Sequence, residues 1–460
     1  MITSYTMSTL TGEQESRLLE SEEELYSYFQ AFAKPVRDRR VGMECELFGI
    51  ERETGKALPY RGPRGIEAVL CRLAAVFHYE PILEEGHVIA LKRGETWITL
   101  EPGGQMELST PPVQTVFEIE KELQSFADEL QEIKNYFPGI TWLSVGIHPF
   151  SSLTETPWVP KQRYAVMADY FKSRGPLAPQ MMKLTATNQA SFDFPDEATA
   201  LSQLRTVFAV TSILSALFAN SSFSDGRPNG FLARRVEIWN ATDPERCGLL
   251  PSFLREGQGF RDYVEYLLKM PMIFIVRDHR WVPMKGISFR QFLRNGKGNH
   301  RATQADFELH LSTAFPEARF KKYLEIRGID AQRRPLIPSV AAFWKGILYD
   351  DASREKSWDL VRHFSLEDRA RLHQEVPRLG LKARLGSVCI KDFAQELFRL
   401  SREGLKNQAP AEARSEAVYL DRVEEEILKP GRTPAETLLE KWHGEFAQKP
   451  ENLIRYLEIA

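Results

Sequence analysis

Two glutamates separated by a single residue, Glu44 and Glu46, interrupt the apolar run VGMECELFGI. In a β-strand both carboxylates project one way while Met43, Cys45 and Leu47 project the other. Like charges at that spacing repel, so their shared face must meet either solvent or a cation. The pattern recurs. In WITLEPGGQMELSTPP, Gln105, Glu107 and Ser109 share a face opposite Met106 and Leu108, and a Pro-Gly-Gly bend can return Glu101 toward Glu107. In RFKKYLEIRGID, Tyr323, Glu325 and Arg327 alternate with Leu324 and Ile326. In TATNQASFDF, Thr185, Thr187, Gln189, Ser191 and Asp193 interleave, less cleanly, with Ala186, Ala190 and Phe192.

One such strand is what a half-solvated sheet presents. Four, rich in acids, amides and Arg and poor in Lys, open a second reading, a carboxylate-lined face neutralised by hard cations. Mg²⁺ suits that face better than Zn²⁺, because Cys and His form no ligand set. Arg235 and Arg246, in FLARRVEIWNATDPERCGLL, and Arg327 beside Glu325 add guanidinium forks that grip carboxylates or phosphates. Each alone would read as a surface ion pair. Together with Mg²⁺ they are equipment for a nucleoside triphosphate, where positioning and charge neutralisation do most of the catalysis. No P-loop, GxGxxG or kinase signature accompanies them.

The elements that must position these residues follow from periodicity and breakers. An amphipathic helix is expected over 12–34, ending at Pro35, then a strand at 41–50 and a helix at 66–77. Strands are expected within 87–110, a helix at 115–136 and a strand at 141–150. A helix at 160–174, a strand at 182–194 and a long helix at 196–220 come next. The turn-rich NSSFSDGRPNGF, 220–231, is too long for a tight turn. A helix near 258–270 and a strand at 273–276 follow, and the chain beyond 340 is mainly helical. The expected fold class is α+β, an antiparallel sheet with helices packed around it, as one catalytic unit over 1–460 with an N-terminal helical segment to about 40.

The chain has 460 residues and a net charge of −3 spread along its length, so nothing points to nucleic acid or an anionic membrane. The longest apolar runs, such as FAVTSILSALFA, are too short to span a bilayer. The acidic, Arg-poor N-terminus argues against signal and transit peptides. Cys45, Cys71, Cys247 and Cys389 form no CxxC pair. These features lead to the expectation of a reducing cytoplasm. Cys45 is expected in the core, and His148, alone beside a Pro in SVGIHPF, reads as structural rather than metal-binding.

Eight stretches then match one family in order: MECELFGI, LEPGGQMELSTPP, VPKQRYAVMADYF, TATNQASFDF, ALFANSSFSDGRPNGFLARRVEIWNATDPERCG, HLSTAFPEARFKKYLEIRGID, AAFWKGILYD and GRTPAETLLEKW. The chain resembles the plant-type glutamate–cysteine ligases, ATP-dependent enzymes of the glutamine-synthetase-like carboxylate–amine ligases. The resemblance implies an antiparallel sheet curved into a funnel with helices outside. It implies that Glu44, Glu46, Glu101, Glu107 and Glu325 hold two or three Mg²⁺ around ATP, and that Arg235, Arg246 and Arg327 grip glutamate or phosphate, with Arg235 and Arg327 catalytic. Gln189, Thr187, Trp239, Thr242 and Tyr323 fall at the substrate wall.

The implied reaction joins L-glutamate to L-cysteine through a γ-glutamyl phosphate, in a monomer or homodimer. Plant members carry Asn where this chain has Ser191 and His where it has Glu237, which leaves the acceptor amine open. A glutamate ligase for another amine and a non-catalytic protein on the same scaffold are the alternatives.

Overall fold

The computed structural model describes residues 17–409 and 414–459. A nine-stranded antiparallel sheet forms its centre. Numbered in chain order, the strands are β1 Val41–Glu51, β2 Glu80–Glu84, β3 His87–Arg93, β4 Thr96–Leu100, β5 Met106–Ser109, β6 Ile140–Leu143, β7 Asn188–Phe192, β8 Ala318–Phe320 and β9 Leu324–Ile326. They lie in the order β8-β9-β7-β1-β5-β4-β3-β2, and β6 pairs with the last third of β1.

Period-two alternation sorts β1 as expected. Met43, Cys45 and Leu47 enter the main hydrophobic core, beneath the helix Ile337–Leu348, all twelve of whose residues are buried. On the opposite face Glu44 and Glu46 are followed by Phe48 and Ile50. Those two join a second apolar cluster with Leu438 and Trp442 of the helix Pro434–His443 and Leu453, Ile454 and Leu457 of the helix Pro450–Leu457. The C-terminal helices therefore cover the apolar end of the face whose other end carries the acids. Each such side chain, once buried, contributes roughly 1.5–3 kcal/mol, enough to anchor both short helices.

Most predicted helices form where expected, including Ile66–Phe77, Val116–Ile133 behind a Thr115–Glu118 capping box, and Gln162–Phe171. The helix Glu197–Leu217 is long and apolar enough to cross a bilayer, and 83% of that stretch is buried inside the protein, the pattern of a core helix.

Four expectations need correction. Within the predicted helix 12–34, residues 12–16 lie outside the described residues; the rest forms only single turns at Glu23–Tyr26 and Phe29–Phe32. There the rings of Tyr28 and Phe29 dock on Phe307, Phe260 and Phe320, and this packing overrides helical periodicity. The predicted strand 182–194 begins as a helix, Ala178–Leu184, and is a strand only from Asn188 to Phe192. The strand predicted at 141–150 stops at Leu143, where Ser144 N–H turns to Leu457 O. RFKKYLEIRGID is a hairpin rather than one strand, with Tyr323 in its turn.

Candidate functional site

Strand register assembles the four polar stretches into one patch. Across β1 and its neighbours, Glu44 lies opposite Gln189 on β7 and Ser109 on β5, while Glu46 lies opposite Glu107. Glu107 in turn lies opposite Thr99 on β4, Ser191 opposite Glu325 on β9, and Glu325 opposite Arg319 on β8. Register partners share a face, so these residues look the same way. The bend after Glu101 closes through Gly104 N–H to Glu101 O at 2.9 Å. Gly104 has φ +84°, and a Cβ on Gly103 would stand 2.2 Å from Lys183 O, so the tight return demands glycine.

Glu44, Glu46, Glu101, Glu107, Gln189 and Arg327 line a slot of about 90 Å³. Arg163, Tyr164, Met167, Ser312, Phe315, Arg319 and Lys321 complete it, none of them anticipated from the sequence. Lys321 and Arg319 stand two and four residues before Tyr323, inside the stretch RFKKYLEIRGID. Contrary to the expectation of little Lys, Lys321 stands among the acids. A roomier cleft of about 670 Å³ between Arg333 and the C-terminal helices holds mutually paired charges, such as Arg333–Glu426 at 2.7 Å, and no comparable set of crowded acids.

The charges in the slot are strongly perturbed. Burial, then the Glu107 and Glu325 charges, push Glu44 well above the ordinary carboxylate range against the pull of Lys321 and Arg327. Burial, with Glu101 and Glu107, does the same to Glu46. Burial and Glu101 raise Glu107 to about 7, although Thr99 Oγ1 donates to it at 2.8 Å. Glu325 goes the other way. Burial favours its neutral form, but Arg319 at 2.6 Å, Lys321 at 2.5 Å and Arg327 at 2.7 Å outweigh that and hold it well below the usual range. Nearby, burial pulls Lys161 down to about 8, its Nζ donating to Leu100 O at 2.8 Å.

The remaining expected residues divide. Thr187 is tied in from both sides: its N–H donates to Glu46 Oε2 at 3.0 Å and its hydroxyl to Ile329 O at 2.5 Å. Arg235 is buried, donates to Arg327 O at 3.0 Å and lies 5.5 Å from the centre of the Trp239 ring. Trp239 packs edge-on against Phe315, so Arg235 and Trp239 stand directly behind the slot. Arg246 does not join it. Sealed from solvent, it pairs with Asp243 at 2.8 Å and donates to Thr313 O, Pro271 O and Tyr170 Oη at 2.7 Å each. Thr242 donates to Ile238 O within its own helix end, and Tyr323 is buried in the hairpin turn beneath Lys321. His148 is buried, its Nδ1 accepting from Ser151 N–H at 2.9 Å.

Among the described residues, no group of three or more His, Cys, Asp or Glu is arranged to hold a metal ion as it stands. The donor chemistry nevertheless fits Mg²⁺, which is held through one or two carboxylates, water and substrate phosphates rather than an all-protein cage. Three crowded acids pushed toward their protonated forms gain from any cation that replaces the proton.

Comparison with known proteins identifies the family. The profile of glutamate-cysteine ligase family 2 (GCS2) matches residues 40–452. The chloroplastic glutamate–cysteine ligase of Nicotiana tabacum is 36% identical over 442 residues, 95% of this chain and 83% of that protein. The chloroplastic enzyme of Arabidopsis thaliana is 36% identical over 439 residues, covering 95% and 82%. Two solved structures share the fold at low identity. They are the Francisella tularensis glutamate–cysteine ligase in complex with AMP (TM-score 0.57, 12% identity, 91% of this chain and 88% of that one) and a bifunctional glutathione synthetase from Pasteurella multocida (TM-score 0.53, 13% identity, 95% and 53%). The chloroplastic naming of the sequence relatives overturns the cytoplasmic location expected from the N-terminus, whose first 16 residues lie outside the described ones. With a profile match running almost end to end and relatives that share more than a third of its residues, the chain belongs to glutamate-cysteine ligase family 2.

Proposed function

We propose that the protein joins the γ-carboxylate of L-glutamate to the amine of L-cysteine with cleavage of ATP, the first step of glutathione synthesis, on the polar face of β1, β5, β7 and β9. The observation that carries this reading is the slot itself, where four glutamates face the cations of Arg319, Lys321 and Arg327. A γ-carboxylate oxygen attacks the γ-phosphorus of ATP and ADP leaves. The cysteine nitrogen then attacks the acyl carbon and phosphate leaves, with one amine proton lost.

Arg327 and Lys321 are placed to draw the negative charge of glutamate or phosphate toward the acids, and Arg235 lies behind them to keep that end of the slot positive. Glu44, Glu46, Glu101 and Glu107 would hold Mg²⁺, which supplies charge neutralisation at the phosphates when bound. Glu325, engaged by three cations, serves as their counter-charge. The C-terminal helices belong to the same catalytic unit, because they seal the apolar end of the β1 face.

The test is a panel of amines with L-glutamate, ATP and Mg²⁺, reading ADP release and product mass. γ-Glutamylcysteine as the preferred product supports the proposal. ADP release with another amine and none with cysteine replaces the acceptor, and no ADP release with any amine overturns the ligase reading.

A further inference from the structure

The floor of the acid slot is charged, but its walls carry two apolar side chains, Met167 and Phe315. Met167 follows Arg163 by four residues and Tyr164 by three on the helix Gln162–Phe171, and that spacing brings all three to the slot from one helix face. Phe315 lies in the segment ahead of β8, three residues after Ser312, which also lines the slot. Its ring centre lies 5.7 Å from the Arg327 guanidinium and 5.8 Å from that of Arg319, and the residue keeps part of its surface exposed. The slot measures only about 90 Å³, so these groups stand around one small space.

The neutral polar groups of the lining are already engaged. Tyr164 Oη donates to Leu100 O at 2.6 Å, and Ser312 Oγ donates to Leu309 O at 2.6 Å. Gln189 Oε1 accepts from Arg327 at 2.6 Å, and its Nε2 turns to Glu46 Oε1 at 3.4 Å. Both hydroxyl protons are therefore spent on backbone carbonyls outside the slot. What the space offers a ligand is charge on one hand and the surfaces of Met167 and Phe315 on the other.

Glutamate and the ATP phosphates are anions and belong with the cations of the slot. Of the three substrates, only the acceptor brings an uncharged side chain. A thiol behaves as a small apolar group with a weak donor, and sulfur packs well on an aromatic ring. A hydroxyl in its place would exchange water for Met167 and Phe315 with no neutral partner free, which costs binding.

We propose, on the strength of the ligase reading, that Met167 and Phe315 are the specificity-determining residues for the acceptor. They receive its Cβ and thiol, and thereby select a short, soft side chain over a hydroxyl-bearing one.

The full chain is assayed for ADP release at saturating L-glutamate and MgATP, with L-cysteine, L-2-aminobutyrate or L-serine as acceptor. 2-Aminobutyrate, which has a methyl where cysteine has its thiol, should match cysteine to within about tenfold in kcat/KM, and serine should fall on the order of 10²-fold below it. Met167→Gln places an amide in the wall and should shift the cysteine-to-serine ratio about tenfold toward serine. Met167→Leu, which stays apolar, should keep the wild-type ratio. In both variants KM for glutamate should stay within about twofold of wild type, because no anion contact has changed. Phe315→Leu should raise KM for cysteine about fivefold or more through the lost sulfur–ring contact, and it keeps the test open if Met167→Gln fails to fold.

Serine used as well as cysteine by the wild type would overturn the proposal. So would an unchanged cysteine-to-serine ratio in Met167→Gln at normal turnover, or a rise in KM for glutamate equal to that for cysteine in Phe315→Leu. Each of these leaves the ligase reading standing. An absence of ADP release with every amine instead removes the ligase reading, and the acceptor pocket with it.

Discussion

Glu325 Oε2 accepts from Arg319 Nε at 2.6 Å, with the carboxylate wholly sealed from solvent and the guanidinium nearly so. Lys321 and Arg327 bind the same carboxylate, so one acid answers three cations. Removing its charge leaves those cations buried without a counter-ion, and breaking such a pair costs about 3–5 kcal/mol. Glu325→Gln is therefore expected to lower stability by that amount in metal-free buffer, measured by urea unfolding. Wild-type stability combined with a lost Mg²⁺ requirement would make Glu325 a metal ligand instead.

Glu44 is expected to show the opposite balance. Its charge is opposed by burial and by Glu107, so the isosteric amide relieves the apo protein while removing a cation ligand. Glu44→Gln should unfold at the same temperature as wild type or higher, and release ADP on the order of 10²-fold more slowly or worse. Undiminished turnover would remove Glu44 from the metal site.

How much of this was readable in advance depends on the element. Glu44, Glu46, Glu107 and Gln189 were legible because period-two alternation assigns a face before any partner is known, and antiparallel register carries that face across the sheet. Lys321 was not, because it sits in the turn between two three-residue strands, where alternation says nothing. Arg163 and Tyr164 come from a helix, whose 3.6-residue period reports its buried side but not what its polar groups meet. Arg246 shows the limit of residue type. A guanidinium invites an anion, and the anion here is Asp243, three residues earlier in the same chain.

The acid slot should also make Mg²⁺ protection depend on pH. Glu107 is raised from 4.5 to about 7, so between those values the native state holds more protons than the unfolded chain. The contribution of Glu107 to the stability of the metal-free protein is then fullest below 4.5, falls as pH rises through that window and levels off above about 7. A divalent cation restores what deprotonation removes. The rise in Tm on adding Mg²⁺ should be larger at about pH 8 than at about pH 6, and Glu107→Gln should flatten the difference. An equal rise at both values would count against carboxylate binding of the ion.

Arg246 gives the sharpest contrast between a structural and a substrate-gripping arginine. Its donors are taken by Asp243, Tyr170, Thr313 and Pro271, and none faces the slot. Arg246→Met keeps the volume but strands Asp243, with a cost of about 3–5 kcal/mol expected from a broken buried pair. Restoring the balance with Asp243→Asn in the same chain should recover part of that loss. The protein that remains folded should keep its KM for glutamate, because no substrate contact has gone. A many-fold rise in that KM at unchanged stability would instead place the guanidinium on the substrate, and would require the Tyr170–Asp243 cluster to open when glutamate binds.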